Sequence, residues 1–442
     1  MTTRYPFRAT VVAVAVMVGC WLLWRYPALP GSDDALYLAR GVTHFDVLSF
    51  APNFPGYPGL IWLARFFAPW SQTPFQALMA VSLVLTLTSA ILAGAIYRRL
   101  TGDEEGAFFL SLLLLLDPLW SEVALSGLSD GPGLCLLLAA WLAALYRRPA
   151  LAGALWGLAL CVRPSYGVLA LVLAGAILHR ASARRFVIPA ALVGLVALLF
   201  VWSANGVAYF LEGWRFFIGH FTIWGDAVGE RGQGVSWFSA FSRAGVSGPL
   251  WGLMLISGLI ATPSLYRRRP AMRPWLLLTV VAVLWCALAQ NPRHLRHLIP
   301  VIALGWGLFI SAGFQSIRQR ERRAILTLLV TIQGIHYASV SLKGSTLPPI
   351  QQAIRWLGHH SSPPAQLVSH HAPDLLRQQL PGYGIIDGYY SGDAELAMRD
   401  GALRLTSTRP HPETSVNLCT HFPARLPGDT PLWLIRRHKA CH

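Results

Sequence analysis

Apolar runs of roughly 17 to 25 residues, the length a helix needs to cross a bilayer core, recur along most of this chain. In hydrocarbon every backbone amide must be satisfied within its own segment, so such runs have to be helices. Candidate spans fall near 9–24, 76–97, 107–125, 131–146, 150–162, 164–178, 186–204, 249–265, 274–289, 297–314 and 324–340. That makes about eleven, with the 150–178 pair short for two crossings. Only 13% of the 442 residues are charged, where a soluble globule carries about a quarter. The sequence predicts a polytopic membrane protein.

The net charge of +16 comes mostly from arginine. It is concentrated in short loops between spans: YRRLTGDEEG, YRRP, HRASARR, YRRRPAMRP and RQRERR. That pattern is the positive-inside signature and reports orientation, with the N-terminus cytoplasmic, rather than a nucleic-acid partner. Arg4 and Arg8 precede the first run, but no small-residue cleavage site follows, so 9–24 reads as an uncleaved helix. The whole suits a bacterial inner membrane. Cys20, Cys135, Cys161 and Cys286 lie in apolar spans and read as small core residues.

Two external loops are long, about 25–75 and 205–248. Residues 1–342 form the membrane domain, and from about Lys343 the membrane periodicity stops. In 343–442, AQLVSHHAPDLLRQQLPGYGIIDGYY reads as strand, helix, strand, and TPLWLIRRH as another strand. An odd number of spans puts this small α/β domain outside the cytoplasm, where Cys419 and Cys441 could form a bridge. No internal repeat is present, which weakens the case for an inverted-repeat transporter.

The first external loop opens with GSDDALYLARG, two adjacent carboxylates just after the first span. On a helix Asp33, Tyr37, Arg40 and His44 share a polar stripe, while Asp34 falls on the side of Leu38, Val42, Phe45 and Leu48. An amphipathic helix in the membrane interface fits, with Asp33 toward a polar cleft and Asp34 toward packing or the membrane surface. Both carboxylates also suit a helix N-terminus after Gly31 and Ser32, so capping and chemistry are both open. The following APNFPGYPGLIWLARFF is proline-rich and then apolar, a loop folding back over the surface to wall a site. Asn53 and Tyr57 belong to that wall.

GSDDALYLARG followed by FPGYPGLIWLARF resembles the first-loop signature of GT-C glycosyltransferases. These include protein mannosyltransferases and aminoarabinose transferases, which use polyprenyl-phosphate sugars. Asp33 matches the family's Asp, Asp34 replaces its Glu, Tyr37 matches its Tyr, and Trp62, Leu63 and Ala64 match the end of the signature. The basic residue or His usual before the proline pair is absent, with Asn53 and Phe54 nearby instead. The resemblance implies inverting transfer from a lipid-phosphate sugar, with one carboxylate, Asp33 by position, taking the acceptor's proton. Cations then face the leaving phosphate.

Asp117, Glu122 and Asp130 stand at or near outer span ends, where a carboxylate is a functional candidate by default. Asp117 before Pro118 fits a role at a kink, bonding freed backbone groups. Asp130 also fits helix capping, while the resemblance implies an acidic residue at this turn that orients the acceptor or supports a metal. QNPRHLRHLIP supplies Arg293, His294, Arg296 and His297 at the surface. Snorkelling to lipid headgroups is the plain reading; the resemblance implies donor-phosphate binding, for which arginine's fork suits. Arg163 in CVRPSYG is a further anion candidate, oddly deep for an unpaired charge. Trp214, Phe217, His220 and Trp224 lie in an aromatic loop that suits either a sugar cavity or an interfacial belt. The His pairs 359–360 and 370–371 read as solvated.

The expectation is therefore an all-α membrane domain of GT-C type with a small α/β extracytoplasmic C-terminal domain. Its predicted activity is glycosyl transfer from a polyprenyl-phosphate donor to a lipid, glycan or protein acceptor on the external face. The competing class is a transporter or flippase of a lipid-linked or sugar substrate. No cofactor is certain; a divalent metal would draw on Asp33, His44 and His220. The chemistry is assigned to Asp33, Asp34 and Asp130, the donor phosphate to Arg293, Arg296, His297 and Arg163, and the cavity to Tyr37, Asn53, Tyr57, Glu122, His220 and Trp224.

Overall fold

The structure is a computed structural model; it describes residues 6–178, 182–219, 236–312, 317–360, 366–388, 393–410 and 416–437. The first half of the membrane domain comprises α1 (Pro6–Arg25), α2 (Asp33–Thr43), α3 (Pro58–Phe67), α4 (Pro74–Thr101), α5 (Glu104–Leu115), α6 (Pro118–Leu125), α7 (Asp130–Leu145) and α8 (Pro149–Val162). The second half comprises α9 (Gly167–Leu178), α10 (Ala183–Asn205), α11 (Ala208–Gly219), α12 (Trp237–Arg243), α13 (Ser247–Arg268), α14 (Arg273–Ala289), α15 (Ile299–Ala312) and α16 (Gln319–Lys343). The C-terminal part holds α17 (Pro349–His360), β1 (Gln366–Ser369), α18 (Pro373–Gln379), β2 (Gly384–Asp387), α19 (Asp393–Arg399), β3 (Leu403–Thr406), β4 (Val416–Phe422) and β5 (Leu432–Arg437).

Among the described residues, seven helices are long and apolar enough to cross a membrane, and the α5–α6 pair, bent by 59°, makes an eighth. Three shorter apolar helices begin at Asp130, Pro149 and Pro164. The helix starts are written locally. Proline opens α3, α4, α6 and α8, where its missing N–H costs nothing. Pro118 breaks the helix and Asp117 stabilises the bend: it accepts from the Leu119 amide at 2.9 Å and from the Trp251 indole at 2.8 Å. This is the backbone-satisfying role expected before Pro118.

Burial separates helices that meet lipid from helices that meet protein. The segment ending in α15 is 89% buried, against 17% for α10, which presents Val187, Leu192, Leu195 and Val196 outward. In the core, Trp120, Trp251, Trp275 and Trp306 are fully buried. The Trp275 indole donates to the Leu304 carbonyl at 2.8 Å, as a buried indole requires.

The C-terminal sheet has strand order β2-β1-β3-β5-β4, with β2, β1 and β3 parallel and β5 antiparallel to both of its neighbours. The strand, helix, strand expected over 366–387 is β1, α18, β2. Its core contains Ile350, Leu357, Leu375, Leu405, Leu434 and, from the first loop, Leu36. The small domain is thereby tied to α2, whose Leu38, Ala39 and Val42 pack into the membrane-domain core instead. Cys20, Cys135, Cys161 and Cys286 are free, and Cys419 is disulfide-bonded; Cys441 lies outside the described residues.

Candidate active site

The first loop forms a shorter helix than the polar stripe suggests. α2 begins at Asp33, capped by Ser32, whose hydroxyl accepts from the Ala35 amide, and it ends at Thr43, before His44. The two carboxylates in its first turn then part company.

Asp33 turns away from the membrane domain. Its two oxygens accept from the backbone amides of Leu375 at 2.9 Å and Asp374 at 3.2 Å, the first turn of α18. One turn on, the Tyr37 hydroxyl donates to the Asp374 carboxylate, and Arg40 reaches Gln378 at 3.2 Å. The stripe of Asp33, Tyr37 and Arg40 is therefore a docking face for the C-terminal domain, and it corrects the expectation that this face lines an open cleft. Helical periodicity groups residues by face; it does not say which segment covers the face. Burial pushes the Asp33 carboxyl up to about 6, against the pull of its two amide donors. Burial and the Asp374 carboxylate together push the Tyr37 phenol upward.

Asp34 faces the other way. Its Oδ1 accepts from the Asn53 amide at 3.0 Å, and its Oδ2 stands 3.7 Å from the Arg296 guanidinium. Its side chain is 48% exposed, whereas that of Asp130, on the far side of Arg296, is 0% exposed. The expectation that Asp34 points toward packing or the membrane surface is corrected too: Leu38 and Val42 on its side of the helix are buried, but Asp34 at the helix start meets a cation.

Asp130 is the centre of the cluster. It opens α7, where free amides and the helix dipole favour an anion. Arg163 lies 2.8 Å from it, His297 3.3 Å and Arg296 3.6 Å. A fully buried carboxylate is tolerated only with such partners. The local sequence builds the arrangement. Pro164 excludes Arg163 from helical backbone, so α8 ends there at φ −140°, ψ 83°, and the guanidinium turns to Asp130 and to the Ser129 hydroxyl at 3.0 Å. Gly133 allows the approach, since a Cβ there would stand 2.5 Å from that of Arg163. Arg296 and His297 come from the short turn Leu295–Leu298 that leads into α15. Arg163 is thus deep but paired.

The remaining predicted residues sort by position. Asn53 and Tyr57 belong to the cluster: Tyr57 feels the charges of Arg163, Asp34, Asp130 and Arg296, and burial pushes its phenol up to about 12. Glu122 is buried behind it against Gly428, within reach of the Arg425–Asp429 ion pair of the C-terminal domain. Tyr37 is on the docking face rather than in the cavity. Arg293 lies near Arg243, whose guanidinium donates to its backbone carbonyl at 3.4 Å, and near His370. Asp33 and His44 sit at opposite ends of α2 and do not converge on one ion. No group of three metal-ligating side chains occurs among the described residues. His220 and Trp224 lie outside them.

The sequence assigns no role to two participants, Ser129 and His371; His294, which QNPRHLRHLIP sets beside Arg296, lies 3.4 Å from it. His371, read as solvated, is half-buried above the cluster, within reach of Arg296 and His294. Burial pulls its imidazole below the usual range.

The assembled site is an exposed carboxylate, a relay of two arginines and a histidine on a buried carboxylate, and a roof from a second domain. The Nε atom of Arg296 faces Asp130 Oδ2 at 3.6 Å, and that of Arg163 is buried without a hydrogen-bond acceptor.

No protein-family model matches the chain, and no curated protein matches it in sequence. The solved structures that match in fold include ArnT from Cupriavidus metallidurans in the apo state, and the same protein bound to undecaprenyl phosphate. Each aligns with a TM-score of 0.54 over 97% of both chains, at 15% and 14% identity respectively.

Proposed function

Because the chain has the GT-C fold seen in ArnT, we propose that it is an integral membrane glycosyltransferase that moves a sugar from a polyprenyl-phosphate donor to an acceptor hydroxyl. One observation carries the reading: a half-exposed carboxylate, Asp34, stands 3.7 Å from Arg296, which together with Arg163 rests on the buried Asp130. The ArnT structure bound to undecaprenyl phosphate supports a lipid-phosphate carrier.

In this reading the acceptor oxygen attacks the anomeric carbon as the bond from that carbon to the phosphate oxygen breaks. Asp34 takes the acceptor's proton. The lipid phosphate leaves with one more negative charge than it carried as a diester. The guanidinium charges of Arg296 and Arg163 attract it, an interaction that strengthens as charge develops. Asp130 does not meet substrate; it fixes both guanidinium groups and the His297 ring, sparing them reorganisation. Asn53 orients Asp34. His371 lies on the side of the site under the C-terminal domain, within reach of Arg296. The arginine-rich loops lie at the other end of the helices, so the site faces away from the cytoplasm on the positive-inside assignment. Donor chemistry on that side calls for a lipid-linked sugar.

The test supplies membranes containing the protein with radiolabelled polyprenyl-phosphate sugars and cell-envelope acceptors. Label transferred to a lipid, glycan or protein fraction, dependent on Asp34, supports the reading. Label that crosses sealed vesicles without a new glycosidic bond overturns it in favour of transport.

A further inference from the structure

The end of the bundle remote from Asp130 holds a cavity of about 700 Å³, within the size range of small-molecule sites. Its wall is contributed by the last turns of α4, α7 and α9 and the first residues of α8, α10 and α14. Four of the five arginine-rich loops therefore converge on one hollow. Arg99, Arg147 and Arg185 reach it from three of them, and Trp141, Leu145 and Ile177 make its apolar side. Among the described residues none of the three arginines has a carboxylate partner; Arg99 lies over the Tyr146 ring at 5.6 Å. The acidic residues of that rim are already taken. Asp103 pairs with Arg322, Glu104 with Arg98 and Glu105 with Arg323. Arg147 holds a left-handed backbone, φ 57°, a position glycine fills more easily, so the turn itself does not ask for arginine.

Ordinary positive-inside charge is spread over a surface. Here three exposed guanidinium groups without carboxylates border one half-apolar hollow between helix ends. We propose that this cavity binds the phosphate of an anionic lipid headgroup, the arginines taking the phosphate and the Trp141 side receiving the proximal acyl chain. On the orientation above, the lipid belongs to the cytoplasmic leaflet. The site is independent of the transfer reaction.

The experiment measures lipid retention by native mass spectrometry on the purified full-length protein, titrated with dioleoyl phosphatidylglycerol, dioleoyl phosphatidylcholine or sodium pyrophosphate. Each arginine near a membrane surface contributes roughly fivefold to anionic-lipid affinity, so replacing all three should weaken phosphatidylglycerol retention about 100-fold. The expected result is that loss in Arg99→Gln/Arg147→Gln/Arg185→Gln, with phosphatidylcholine unchanged. Retention should persist in the matched lysine triple and in Arg267→Gln/Arg268→Gln/Arg320→Gln, which removes equal charge from exposed positions outside the cavity. Equal loss in both glutamine triples would overturn the proposal in favour of diffuse surface charge. Pyrophosphate binding without phosphatidylglycerol retention would overturn the lipid assignment. The lysine triple shows that the cavity variant's loss is not misfolding.

Discussion

Asp33 and Asp34 are neighbours in the chain and opposites in the structure. Asp33 ties two domains together through backbone amides of α18; Asp34 faces an arginine across a half-open site. The separation is geometric: successive helical residues point about 100° apart, and α2 is packed on both sides. Adjacent acids in such a helix therefore divide labour without any difference in their own chemistry. The small domain is positioned by the same helix that carries the proposed base, so its docking and the site's geometry share one part.

That contrast can be broken in several ways. The largest effect belongs to the base. Asp34→Asn should lower the transfer rate by about 10²- to 10⁴-fold, the usual contribution of a positioned acid or base, with protein level and melting temperature unchanged. Next comes the buried pair behind it. Arg163→Met leaves Asp130 without its 2.8 Å partner and should cost about 3–5 kcal/mol of stability. A melting curve on detergent-solubilised protein reads this, and the double variant Arg163→Met/Asp130→Leu should recover much of it. On the docking face, Asp33→Ala removes two amide acceptors and should cost about 1–3 kcal/mol. Faster protease cleavage between α16 and β1, with transfer reduced by less than about tenfold, would mark it as a domain tie.

The smallest effect is a pH slope. Burial lifts the folded pKa of Asp33 to about 6, above its unfolded value, so the folded state binds a proton that the unfolded state releases. The stability from this site is fully present below about pH 4 and is lost as pH rises through 6. Melting temperature should fall over that window more in wild type than in Asp33→Asn, where the slope should flatten.

Much of the fold is legible in the sequence because lipid imposes a strong periodic signal. The long spans, the bend at Asp117–Pro118 and the strand, helix, strand at 366–387 all follow from local rules. Part of the candidate site is legible for the same reason: Asp130 and Arg163 are polar residues where the membrane makes polarity expensive, whereas Arg296 and His297 read as surface residues to which only the resemblance gives a role. The division between Asp33 and Asp34 is not legible. The partner of Asp33 arrives from 342 residues away, and nothing in GSDDALYLARG records which face α18 will cover. His371 escaped for a related reason, since only the docked domain brings it over Arg296.

The most direct test of the account is the single-turnover transfer rate of Asp34→Asn beside Asp33→Asn, from one polyprenyl-phosphate sugar and in matched membranes. The account predicts loss by two or more orders of magnitude in the first and near-normal transfer in the second. A rate lost in Asp33→Asn and kept in Asp34→Asn would contradict it, and would make the docking face the reaction site.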